Sequence, residues 1–154
     1  MTITHSEADR RRLSGPGLRS FLRICERWSL TREQQIALLG AQDAAAYDAL
    51  AAAARDKDPD FMLPEDVLMR ISAVLGIYKA LESYLPEQDR IDWLTSPHRG
   101  LDFDGLRPLR LMMSGEFEDL LMVRRYLDDR YAGFPPPGSD DYEPIAEGDI
   151  IWTR

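Results

Sequence analysis

The residues able to do nucleophilic, acid–base or metal chemistry are few and scattered in this chain. It has two histidines, His5 and His98, and one cysteine, Cys25. A structural zinc site takes four Cys or His ligands, so these three residues cannot build one. Acidic residues are abundant, but no pattern places two of them as an acid–base pair. No strand is predicted, so no Gly-rich phosphate-binding loop can follow one. We therefore predict no catalytic residue, no metal and no cofactor.

Composition favours a folded, soluble protein of one domain or two small ones. The chain has 154 residues, of which 44% are hydrophobic, enough for a modest core. Cys25 lies beside Ile24 and near Trp28 in an apolar-periodic segment, so we expect a buried small side chain. No apolar run approaches the length of a membrane span, and the N-terminus lacks the apolar block of a signal peptide. The expected location is the cytoplasm, away from membranes.

Charge is distributed unevenly along the chain. Residues 1–55 carry eight arginines and six acids, a net charge of +2, whereas the remaining residues carry eleven basic and twenty-one acidic groups, a net charge of −10. The basic half is suited to approach phosphates, and the acidic half is suited to a basic protein surface. Ordinary surface charge for solubility is the alternative interpretation.

Helical periodicity runs through the first half of the chain. Residues 1–17 are polar and end in the breakers Ser14–Gly17, which predicts a mobile arm and a first helix that begins at Leu18. Thr31 followed by Gln34 predicts a capping box, then a helix that ends at Gly40. An alanine-rich helix follows from position 43 to 54. We therefore predict a helical domain over residues 18–58 that resembles a helix-turn-helix.

The second half is also helical, which makes the predicted class all-α. After a charged boundary at positions 56–60, a long core helix is predicted from an apolar series in steps of three and four. Its members are Val67, Ile71, Val74, Tyr78, Leu81 and Leu85. Shorter helices are predicted after Pro86 and Pro108, and a last long helix from Glu116 to Tyr131. These elements define a second domain over residues 59–133.

A tail of different composition covers residues 134–154. Three prolines at positions 135–137 form an extended spacer, acidic residues follow, and the chain ends in Ile150-Ile151-Trp152-Thr153-Arg154. An isolated cluster of large apolar side chains gains free energy by burial. The tail is expected either to fold back on its own domain or to dock on a partner.

DNA binding would place the recognition helix after Gly40. Base edges are read by Arg, Lys, Asn and Gln, yet alanines and two carboxylates dominate this helix. Phosphates would be repelled by those carboxylates. The residues left as candidates for DNA contact are Arg32, Gln34, Gln35, Gln42 and Tyr47. A three-helix unit that only mediates dimerisation explains the same pattern.

An ordered series of residues carries a resemblance to a known family. The series comprises Gly76-Ile77-Tyr78, Trp93-Leu94, Pro97, Phe103, Gly105, Pro108-Leu109, Gly115 and Arg124-Tyr126-Leu127. In this order and spacing it resembles the Xre/MbcA/ParS antitoxin family, with an Xre-type helical domain first and a toxin-binding domain second. No single short motif in the series is decisive, but the combination is specific.

The resemblance implies an antitoxin of a type II toxin–antitoxin pair. Its partner would be a RES-domain toxin that degrades NAD, and the complex would also bind operator DNA to repress its own promoter. The toxin-binding residues implied by the resemblance are Trp93, Pro97, Phe103, Gly105, Pro108, Leu109, Met112, Gly115 and Arg124, to which we add Asp140, Asp141 and Trp152 of the tail. A homodimer or a hetero-oligomer with the toxin is expected.

Two other functions stay open from the sequence. One is a helix-turn-helix transcriptional regulator that has no toxin partner. The other is an adaptor whose helical groove binds an unrelated enzyme. Each residue of the antitoxin series also has a purely structural interpretation as a core or turn residue.

Overall fold

The computed structural model describes residues 6–99 and 103–131, and within these ranges it contains seven helices and no strand. The helices are α1 (Glu7–Arg27), α2 (Arg32–Leu39), α3 (Ala44–Arg55), α4 (Glu65–Tyr84), α5 (Glu87–Thr95), α6 (Pro108–Met112) and α7 (Phe117–Tyr131). The predicted all-α class is therefore confirmed. No helix in this part of the chain is long and apolar enough to span a bilayer.

The first helix corrects the prediction of a mobile arm over residues 1–17. Helix α1 begins at Glu7, where the Ser6 hydroxyl accepts a hydrogen bond from the Asp9 amide at 3.1 Å, and it continues unbroken through Pro16 to Arg27. Residues 1–5 lie outside the described part of the chain. The helix start expected at Leu18 is wrong, because Gly and Pro residues within positions 14–17 lower only the local preference for a helix and do not exclude one.

Long-range contacts hold α1 together across those breakers. The buried Ser14 hydroxyl donates to the Arg10 carbonyl and accepts from the Leu63 amide at 2.8 Å, and Arg10 Nη2 donates to the Leu63 carbonyl at 3.2 Å. A methyl group on Gly17 would lie only 3.7 Å from Ile71, so the helix approaches α4 closely there. These contacts, with the buried α1 side chains, outweigh the cost of about 3 kcal/mol for an internal proline.

Local signals placed the next two helices correctly. Thr31 and Gln34 form the predicted capping box, and α2 ends at Gly40, whose φ of 75° is in the left-handed region. Asp43 caps α3 by accepting from the Ala46 amide at 2.8 Å. The capping box and the glycine stop act over three or four residues, which is why the sequence alone predicted them. The predicted third helix began one residue early, at Asp43, which is the cap.

Helix α4 lies at the centre of the molecule. It buries Val67, Leu68, Ile71, Ala73, Val74, Ile77 and Leu81, whereas Tyr78 and Leu85 of the predicted stripe are half-buried. It packs against α1 and α7, so both flanks are covered. One continuous core runs from Leu18 to Leu127, and the proposed division at residues 58 and 59 stays a prediction.

Candidate functional site

An aromatic cluster joins α5, the following loop and α7. Phe103 is fully buried, with ring centroids 4.4 Å from His98, 4.9 Å from Tyr126 and 6.0 Å from Trp93. Edge-to-face contacts of this kind stabilise ring packing beyond simple burial. The cluster fixes how α5 lies against α7, and it gives Trp93 and Phe103 of the antitoxin series a structural role.

The loop over residues 98–106 is closed at its base, although residues 100–102 within it are not described. The His98 amide donates to the Leu106 carbonyl at 3.1 Å, and the Gly105 amide donates to the His98 carbonyl at 3.0 Å. Asp104 and Gly105 have φ values of 49° and 78°. A methyl group on Gly105 would meet no atom within 4 Å, so backbone conformation and not space favours glycine.

The short helix α6 carries three of the predicted toxin-binding residues into the interior. Pro108 occupies the first turn, where its missing N–H is harmless, and is buried together with Leu109 and Met112. Gly115 lies at the turn into α7 with a φ of 94°. Pro97, in contrast, is exposed in the loop after α5. Pro108, Leu109 and Met112 therefore shape the surface by packing beneath it and are not themselves exposed.

Arg124 lies across the surface between α7 and α4. Its Nη1 donates to the Ser72 carbonyl at 3.1 Å, and its Nε lies 3.7 Å from an Asp128 carboxylate oxygen. A methyl group on Gly76 would lie 2.5 Å from the same Nε. Glycine at position 76 thus leaves room for the guanidinium. Beside it lies a hollow of about 220 Å³, whose lining also includes Lys79.

Four of the five DNA-contact candidates are engaged within the protein. Arg32 forms an ion pair with Asp48 of α3, and Gln34 completes the capping box. Gln35 donates to the Leu30 carbonyl at 3.0 Å and accepts from the hydroxyl of the buried Tyr47. The remaining candidate, Gln42, is exposed. These bonds use the polar atoms of Gln35 and Tyr47 within the protein, and their contact with DNA stays a prediction.

The described residues include neither a metal-binding cluster nor a reactive thiol. They contain no cluster of three or more His, Cys, Asp or Glu placed to hold a metal ion. Burial raises the pKa of Cys25 from 9.0 to about 12, so the thiol stays protonated and unreactive at neutral pH. This agrees with the expected buried cysteine. Asp140, Asp141 and Trp152 lie outside the described residues.

Sequence reasoning missed the side-chain contacts that join the helices. The Arg124 contact at Gly76 has a counterpart at Gly40, where a methyl group would lie 2.7 Å from Arg70 Nε. Arg70 also donates from Nη2 to the Gly115 carbonyl at 2.8 Å. Gly76 inside the strongly periodic α4 was a signal of close approach, but a glycine identifies neither the partner nor the direction of approach.

Comparison with known proteins places these features in a family. The family described as "Antitoxin Xre/MbcA/ParS C-terminal toxin-binding domain" matches residues 80–133. The chain is also 34% identical over 117 residues to "Uncharacterized protein y4oB" of Sinorhizobium fredii (strain NBRC 101917 / NGR234), which covers 75% of this chain and 84% of that protein. No solved structure gives a significant match.

Proposed function

Because the chain belongs to the Xre/MbcA/ParS antitoxin family, we propose that it binds and covers the active site of a RES-domain toxin that degrades NAD. The observation that carries this proposal is the toxin-binding-domain match over residues 80–133. Those residues include the C-terminal end of α4 and the whole of α5, α6 and α7. A toxin protein is therefore the partner, and inhibition by binding is the activity.

The charge of the second half supports a lid over a nucleotide pocket. Residues 56–154 carry ten more acidic than basic groups. A pocket that holds the pyrophosphate of NAD is expected to be basic, and complementary charge speeds encounter and orients docking. The acids that surround α4 and α7 would then face the rim of the toxin's pocket.

The tail extends this proposal. We propose that Asp140 and Asp141 contact basic residues of the toxin and that Trp152 inserts into an apolar recess near its pocket. Aromatic anchors of this kind carry much of the binding free energy at protein interfaces. The three prolines at positions 135–137 would hold the tail away from the body of the domain.

Co-expression tests the proposal directly. A RES-domain toxin encoded next to this chain should deplete cellular NAD when expressed alone, and co-expression of the full chain should restore NAD and growth. Purified full chain should form a complex with the toxin and stop NAD loss in vitro. Toxin turnover that continues at saturating amounts of the chain would refute the proposal.

The tail has its own test within the same assay. A chain that lacks residues 134–154 should bind the toxin more weakly and inhibit it incompletely. Undiminished neutralisation by the shortened chain would remove the tail from the mechanism and leave the helical domain as the inhibitor. Circular dichroism of both forms checks that the described helices are retained.

Repression of its own promoter is a second part of the proposal. The helices α1, α2 and α3 have the order of a helix-turn-helix unit, but the exposed face of α3 presents Ala45, Asp48 and Ala49. Such a face contributes little to base recognition, so we assign DNA binding to a dimer or to the complex with toxin. Binding to upstream DNA, measured with and without toxin over a range of salt concentrations, tests it.

A further inference from the structure

A hollow of about 730 Å³ opens where the N-terminal turns of α4 and α7 lie side by side. Its α4 side is lined by Glu65, Asp66, Met69 and Arg70, and its α7 side by Phe117, Glu118, Leu121 and Arg125. The α4 side lies outside the family-matched residues 80–133. It is larger than the hollow beside Arg124, and a side chain of a partner fits within this volume.

Apolar side chains form part of the lining of this hollow. Met69, Phe117 and Leu121 are each half-buried and pack against the core of the molecule. Apolar surface that stays partly in water at the junction of two helices gains free energy when a partner covers it. Their positions on two different helices make the patch concave, which favours an inserted side chain over a flat contact.

Charged groups surround the apolar part in a specific arrangement. Asp66 and Glu118 are exposed, and Glu118 lies 4.0 Å from Arg125. Arg70 donates from Nη2 to the Gly115 carbonyl, and it lines the hollow together with Arg125. A partner that fits this hollow therefore supplies cations to the acidic rim and partial negative charge to the two arginines.

We propose that the C-terminal turn of a toxin α-helix occupies this hollow. The last carbonyl groups of a helix lack partners within the helix and carry partial negative charge, which suits Arg70 and Arg125. Lys and Arg are favoured in the last helical turn and would meet Asp66 and Glu118. An apolar side chain of the same turn packs against Met69, Phe117 and Leu121.

This inference rests on the proposed function, since it names the part of the toxin that docks and where. It also extends the toxin contact to residues 65–70. The charge test compares two double variants that carry the same change of charge. Asp66→Lys with Glu118→Lys reverses the rim of the hollow, and Glu26→Lys with Asp56→Lys makes the same change at exposed positions that lie outside the family-matched residues and do not line the hollow.

The rim variant should bind the toxin about tenfold to a hundredfold more weakly, with slower association and a smaller salt dependence. The control variant should stay within about threefold of wild type, because it lacks the local contacts. Equal loss in both variants would mean that only total charge matters and would overturn the inference. Thermal unfolding of each variant separates a docking defect from a folding defect.

A thiol probe gives a second, independent readout. The native Cys25 is buried, so Met69→Cys introduces a single accessible thiol, and Ala52→Cys on the exposed face of α3 serves as the control. Maleimide should label both positions in the free protein, and toxin should protect position 69 but not position 52. Protection of position 69 in the free full chain that disappears on deletion of residues 134–154 would assign the hollow to the tail.

The outcomes separate the inference from the function on which it rests. If wild-type chain fails to bind or inhibit the toxin, the proposed function is wrong. If wild type inhibits, but the rim variant inhibits equally well and position 69 stays reactive in the complex, only the docking inference is wrong. Concentration-dependent protection of position 69 without toxin would assign the hollow to a second copy of this chain and would also overturn it.

Discussion

Replacement of Gly76 by alanine tests how α4 and α7 are held together. A methyl group at this position would lie 2.5 Å from Nε and 2.6 Å from Cζ of Arg124, far inside van der Waals contact. The guanidinium would have to leave the α4 backbone. It would lose its 3.1 Å hydrogen bond to the Ser72 carbonyl and its contact with Asp128.

Two effects of similar size oppose each other in this variant. Alanine inside a helix is more stable than glycine by about 1 kcal/mol. A hydrogen bond from a charged donor contributes about 1.5–3 kcal/mol, but the Arg124 side chain is 36% exposed, so we use about 1–2 kcal/mol for its bond to the carbonyl. Gly76→Ala should therefore change the free energy of unfolding by between zero and about −1 kcal/mol.

The outcome reverses when the guanidinium is absent. In an Arg124→Ala background the guanidinium that the new methyl group would meet is gone, so Gly76→Ala should stabilise the protein by about 1 kcal/mol. The coupling between the two positions is then about 1–2 kcal/mol, well above the error of a double-mutant cycle. Urea unfolding followed by circular dichroism measures all four proteins. Equal effects of Gly76→Ala in both backgrounds would refute the packing described for Arg124.

Two further predictions concern buried polar groups. Ser14→Ala should lower the free energy of unfolding in urea by about 1–3 kcal/mol, because it leaves the Leu63 amide buried without an acceptor. The control Ser83→Ala loses only a bond to the Lys79 carbonyl in its own helix, so it should change stability by less than about 0.5 kcal/mol. Equal losses in the two variants would contradict the link to Leu63. Burial is the main cause that raises the pKa of Cys25 from 9.0 and of Tyr47 from 10.0, both to about 12. The unfolded chain therefore releases these protons at lower pH, so stability should be full below pH 9 and fall as pH rises toward 12. Urea midpoints at about pH 8 and about pH 10.5 measure this fall, and Cys25→Ala should make it shallower, whereas an unchanged slope would exclude Cys25 as a source.

Elements defined by local signals were predictable from the sequence. The capping box of α2 and its end at Gly40 each depend on residues within one helical turn. The apolar series of α4 identified the central helix because its period repeats over several turns. The first residues of α5 and α6 were also predicted closely, because Pro86 lies just before α5 and Pro108 lies in the first turn of α6.

Features that depend on distant residues could not be predicted in the same way. The course of α1 through Pro16 depends on Leu63, which lies 49 residues from Ser14. The positions of Arg70 and Arg124 depend on Gly115 and Gly76, which belong to other elements. Each of these contacts requires the packed arrangement of α1, α4 and α7 to exist first. Periodicity predicts which face of a helix is buried, but not which residue of another helix or loop packs against that face.

Several of the predicted toxin-binding residues are interior, which bears on how specificity arises. Phe103 and Met112 are fully buried and Leu109 is nearly so, so none of them presents much surface to a toxin. Such residues preserve the shape of the domain. Under the docking proposal, discrimination between toxins would come from exposed positions such as Asp66 and Glu118. Phe103→Leu should accordingly lower stability while it leaves toxin affinity nearly unchanged in the folded fraction, measured by titration calorimetry below the unfolding temperature. A large loss of affinity in fully folded Phe103→Leu protein would show instead that the aromatic cluster positions the docking surface directly.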